Sequence, residues 1–97
     1  MSAKHSWTFE EDGLCCDAFF KVYVIQKSNM PLSDFVRLLS LKLPAIKAGS
    51  LRLKVQNIKQ LALEYGIENS LKAAASTNYS KQNQSAFVSV MKQYAVE

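Results

Sequence analysis

Apolar residues recur at helical steps along most of the chain and divide it into four stretches. The clearest runs from Ala48 to Gly66, where Leu51, Val55, Ile58, Ala62 and Tyr65 follow at intervals of four, three, four and three. That is the spacing of one buried helical stripe. From Thr8 to about Gln26, Leu14, Ala18, Val22 and Ile25 repeat in the same way, and Phe19, Phe20, Tyr23 and Val24 widen the apolar side. Asp34 to Leu43 offers Phe35, Leu38 and Leu39 with Leu41 or the Lys42 stem. The last stretch, after Ser80 to about Ala95, aligns Phe87, Met91 and Tyr94, extended by Val88 and Ala95. The pattern predicts an all-α fold, a small bundle of four helices; a turn at Leu71 to Ala75 would make a fifth. The competing signal is the run FFKVYVI, whose aromatic and β-branched residues also suit a strand.

The ends of these stretches carry the expected punctuation. Thr8 stands as an N-cap with Glu11 three residues later, the spacing of a capping box, and Trp7 precedes it where a hydrophobic staple residue sits. Glu10, Glu11 and Asp12 suit the positive end of a helix dipole. Ser28-Asn29-Met30-Pro31 breaks the chain, Ser33 is placed to cap the second helix, and Pro44 stops it. Gly49-Ser50 offers a start for the third helix and Gly66 a left-handed stop. Residues 67 to 79, small and polar, form an ordered loop, and Ser80 caps the last helix. The chain forms a single helical domain of 97 residues in which residues 1 to 6 are a mobile lead-in. The second and third helices form a helix-turn-helix-like central pair, with a connector longer than the tightest versions use.

Charge changes the picture more by its placement than by its total of +4. Acidic residues crowd the first helix, whereas between Phe35 and Leu63 there are none, and Arg37, Lys42, Lys47, Arg52, Lys54 and Lys59 all fall there. Such a segment either makes a positive field for phosphate or an acidic partner, or is balanced in space by the early carboxylates. At about 100° per residue, Arg52, Gln56 and Lys59 share a flank away from the third helix's apolar stripe.

Candidate chemistry is sparse. The adjacent Cys15 and Cys16 have neither the loop of a structural disulfide nor the gap of a zinc or redox pair, and one thiol is expected in the core. His5 is the only histidine and stands alone near the terminus, which leaves no candidate metal site and no nucleophile–base pair. With three glycines there is no phosphate-cradling loop. A self-contained enzyme is not expected, and no cofactor is implied. No apolar run approaches the roughly 18 residues of a membrane span. MSAKHSWTFEED lacks the apolar core of a secretion signal, so a cytoplasmic location without membrane contact is expected.

Two short motifs carry a family resemblance. Trp7-Thr8-Phe9-Glu10-Glu11 resembles the WTxEE start, and Ser50-Leu51-Arg52-Leu53-Lys54-Val55-Gln56-Asn57-Ile58 the SxxxKxxN[IF] signature, of a helical region upstream of the catalytic domain in some bacterial HNH-type restriction endonucleases. The opening is also faintly similar to Myb- or SANT-like domains. The resemblance implies a bacterial or phage, restriction-associated DNA-binding domain carried without its nuclease, since the HNH histidine and metal residues have no counterpart here. Lys47-Ala48-Gly49-Ser50 replaces the Gly-Arg-Ser that usually precedes the signature.

Two functions follow as expectations. In the first, the chain is a non-catalytic binder of double-stranded DNA using the basic amphipathic helix at about 50–65. Arg52, Gln56 and Lys59 then face a groove, while Lys47, Lys54, Arg37 and Lys42 touch phosphates. Asn57, pointing sideways, is expected to hydrogen-bond the loop after Gly66. In the second, Phe19, Phe20, Tyr23, Phe87 and Tyr94 exceed one small core and form a surface for a protein partner or homodimer.

Overall fold

In the computed structural model, which describes residues 5–94, the capping box at Thr8 starts the first helix. The Thr8 hydroxyl accepts from the Glu11 amide at 3.1 Å, and the Glu11 carboxylate accepts from the Thr8 amide at 3.0 Å. From that start α1 runs Phe9–Phe19 and continues as a π-helix over Phe20–Ile25. The β-prone run is therefore helical, with a wider turn closed by bonds such as Gln26 N–H to the Lys21 carbonyl at 3.0 Å. Phe19, Phe20 and Tyr23 all reach the core. The buried face of this helix is Cys15, Cys16, Phe19, Phe20 and Tyr23, whereas Leu14, Ala18 and Val22 are half-buried and Ile25 is exposed. Both thiols are thus interior, not one.

α2 (Leu32–Lys42) begins behind Pro31, whose carbonyl accepts from the Asp34 and Phe35 amides at 3.1 Å; Ser33 lies inside the helix and does not cap it. It buries Phe35, Val36 and Leu39, and leaves Leu38 and Leu41 on the outside, contrary to the expected packing side. α3 (Ala48–Glu64) starts after Lys47 with no side-chain cap and ends at Gly66, whose φ of +70° is the predicted left-handed stop. Leu51, Val55, Ile58 and Ala62 are all fully buried, as the stripe requires, while Tyr65 at its end is exposed. α4 (Lys81–Gln93) is capped as expected by Ser80, whose hydroxyl accepts from the Asn83 amide at 3.1 Å. Ala95, the expected end of this helix, lies outside the described residues.

α1 packs along α4 and α3, α2 lies along α3, and α3 also touches α4. One apolar cluster joins all four helices with Ile67 and Leu71 of the loop after α3. No strand forms among the described residues, and none of their helices is long and apolar enough to cross a membrane. The loop over 67–79 contains no helical turn, and its polar groups are tied to the turn before α2 and to α3. The Ser70 hydroxyl donates to the Ser28 carbonyl at 2.6 Å and the Ser76 amide to the Gln56 carbonyl at 3.1 Å.

Candidate functional site

α3 is the element on which the structure sorts the chain's central cations, and each meets a different fate. Lys54 is buried. Its ammonium lies 2.6 Å from Oδ1 of the fully buried Asp12 and 4.4 Å from the centre of the Trp7 ring. The approach to Oδ1 is off the direction of a hydrogen bond, so the attraction is ionic, reinforced by the face of the indole. Gln82 of α4 locks the same junction, donating to Asp12 Oδ2 at 2.9 Å and to the Trp7 carbonyl at 2.8 Å. Lys54 is therefore a fold-closing charge and not a phosphate contact, and Asp12 belongs to the interior instead of the helix-dipole cluster. The two motifs of the opening and of α3 meet in space at this point.

Lys59 and Gln56 are also removed from the open face. The Lys59 ammonium donates to the Leu71 carbonyl, and burial draws its pKa below the usual lysine value. Gln56 is half-buried where Ser76 docks on its backbone. The flank expected to read a groove is thus covered in its second half by the loop at 70–76. Arg37 pairs across one turn of α2 with Asp34 at 3.4 Å, and Lys42 stands beside an apolar groove between α1 and α2. The six cations do not form one patch.

What remains open is the first two turns of α3. Lys47, Ala48, Gly49, Arg52 and Leu53 are exposed there, and neither Lys47 nor Arg52 makes an ion pair among the described residues. This ridge stands between two grooves. The first, about 460 Å³, is lined by Arg52, Gln56 and Lys72 with the Asn29–Leu32 turn. The second, about 620 Å³, lies between the starts of α3 and α4, with Trp7 and His5 at its side. Among the described residues no carboxylate lines either groove. Of the lead-in expected to be mobile, residues 1–4 lie outside the described part. His5 shares a hydrogen bond with Glu11 Oε1 at 2.9 Å and meets Trp7 edge-to-face. The bond from Thr8 first, and then His5, hold the Glu11 carboxyl below its ordinary value.

Asn57 does not bond the loop after Gly66 as expected. It lies on the second groove, 5% exposed, and its Oδ1, closed to solvent, has no hydrogen-bond partner among the described residues. The aromatic surface is likewise absent: Phe19, Phe20, Tyr23 and Phe87 are fully buried, and Tyr94 is half-buried with its hydroxyl donating to Asp17 at 2.6 Å. Burial leads, ahead of that bond, in pushing the Tyr94 phenol up to about 12. Among the described residues no three potential metal ligands cluster. Burial pushes the Cys15 thiol up to about 12 and raises Cys16 as well, so neither is a poised nucleophile.

Comparison with known proteins adds no relative: no family model matches the chain, and no curated protein or solved structure is significantly similar to it.

Proposed function

We propose that the chain is a non-catalytic, double-stranded-DNA-binding module whose contact surface is the first two turns of α3. One observation carries this reading: an exposed helix start bearing Lys47 and Arg52, which make no ion pair among the described residues, flanked on both sides by grooves that no described carboxylate lines. In helix-turn-helix proteins it is the N-terminal residues of the second helix that reach base edges. Here α2 packs on α3. Arg52 is the residue for a base edge, where a guanidinium pairs with guanine O6 and N7, and Lys47 and Lys72 supply phosphate contacts. Gln56 lines the first groove and is half-buried, so it is a lesser base contact than Arg52. The likeness of both motifs to the region upstream of an HNH catalytic domain supports the same reading, an accessory DNA contact without its own nuclease.

Fluorescence anisotropy with labelled duplexes at low and moderate salt tests it. Lys47→Ala is expected to weaken all duplexes alike and to lower the salt slope by about 1, and Arg52→Ala to alter sequence preference by about 1–3 kcal/mol. Absence of salt-dependent binding at ~50 mM salt, where phosphate contacts are strong, removes the proposal. Leu38 and Leu41, 45% and 78% exposed on α2, favour a protein contact as the second reading. A stable dimer by light scattering, without duplex affinity, would put that reading first.

A further inference from the structure

The side of the molecule formed by α1 and α2 is apolar beyond what the core uses. α1 and its π-helical continuation bury one face in the interior, yet a second row, Leu14, Ala18 and Val22, recurs four residues apart and stays half-buried. A helix apolar on two faces is ordinarily covered on both. α1 packs on α3 and α4, and α2 packs on α3, but α1 and α2 do not pack along one another. A groove of about 300 Å³ lies between them. The second row of α1 lines it on one side and Leu38 and Leu41 of α2 on the other, with the buried Phe35 and Leu39 as its floor.

The second observation is the charge along this groove. Lys21 pairs with Asp17 Oδ2 at 3.2 Å, while Asp17 Oδ1 takes the Tyr94 hydroxyl at 2.6 Å, so both carboxylate oxygens are engaged. Lys42 lines the groove as well, is exposed, and makes no ion pair among the described residues. Its flexible stem can carry the ammonium over the head group of an occupant. Apolar walls with one unmatched cation complement a molecule that has an apolar tail and a single negative charge. A doubly charged head would lack a second partner, since Lys21 is already matched. The groove stands at the lower end of small-ligand sites, which are often found between the helices of bundles. A stable protein partner instead needs ~1,000 Å² or more of contact. We infer that the groove between α1 and α2 binds a free medium-chain carboxylate, its alkyl tail between the α1 row and Leu38 and Leu41, its carboxylate on Lys42. This goes beyond the duplex contact on α3 and does not rest on it.

Isothermal titration of the full chain with decanoate, kept below its micelle-forming concentration, is expected to show one saturable site with a Kd on the order of 0.1–1 mM. Octanoate is expected to bind up to about 10-fold more weakly, because it lacks two buried methylenes. Decyltrimethylammonium, the same tail with the opposite charge, is expected to bind about 5-fold more weakly than decanoate, and Lys42→Glu to reverse that order. Ala18→Leu, which fills the groove, is expected to remove saturable binding of both, with helicity checked by circular dichroism. If that variant does not fold, methyl shifts in the wild-type chain decide instead. Changes at Ala18, Val22, Leu38 and Leu41 on adding decanoate support the inference, and changes confined to other residues overturn it. No saturable binding of decanoate, or equal affinity for the two amphiphiles, also overturns it. A concentration-dependent dimer that shifts the same methyls and that decanoate does not dissociate gives the groove to a second copy of the chain, which overturns it as well.

Discussion

Lys54 and Arg52 stand two residues apart on one helix and behave as opposites. Lys54 is closed into a junction with Asp12, Trp7 and Gln82 that ties α3 to the starts of α1 and α4. Arg52 lies on the outer ridge and makes no ion pair among the described residues. The difference teaches that a basic segment is not a basic surface. One cation was spent on holding the fold, and the charge available to a partner is what the fold left unmatched.

Breaking the junction has the largest expected effect. Lys54→Ala leaves Asp12 charged and buried, and is expected to destabilise the chain by about 3–5 kcal/mol in chemical denaturation. Replacing both partners, Asp12→Leu with Lys54→Met, is expected to recover most of that loss, and a double-mutant cycle gives the coupling. A loss from Lys54→Ala no greater than from an exposed lysine would erase the contrast. Next in size is the α1 start that presents Asp12: Thr8→Ala is expected to cost about 1 kcal/mol. Within the same capping box the depressed Glu11 carboxyl contributes stability that is complete above its unfolded value of 4.5 and is lost as pH falls through the lower folded one. Glu11→Gln should therefore flatten the stability profile on the acid side and leave its neutral part less affected. The smallest effect belongs to the ridge. Lys47→Ala and Arg52→Ala are expected to stay within about 0.5 kcal/mol of wild-type stability, so that any change in duplex binding reports contact and not unfolding.

The difference between the two cations was partly legible in the chain. Lys54 lies three residues after Leu51 and four before Ile58, on the buried stripe itself. Asp12 lies four before Cys16 and seven before Phe19, on the buried face of α1. An acid and a base each placed on an interior face must find a partner, most simply each other. Position along a helix does not tell which flank a later loop covers, as residues 70–76 cover Lys59.

Local chemistry by itself determined the four helices and several of their ends. Periodic apolar residues need a common interior, Thr8 and Ser80 satisfy amides that have no intrahelical partner, and Gly66 adopts a φ that other residues resist. These are interactions between residues a few positions apart. Tertiary structure alone decided the path of residues 70–76 over Gln56 and Lys59. It also decided that Asn57 Oδ1 has no donor among the described residues. Each of these depends on which distant backbone arrives beside a given face, and no local pattern encodes that arrival.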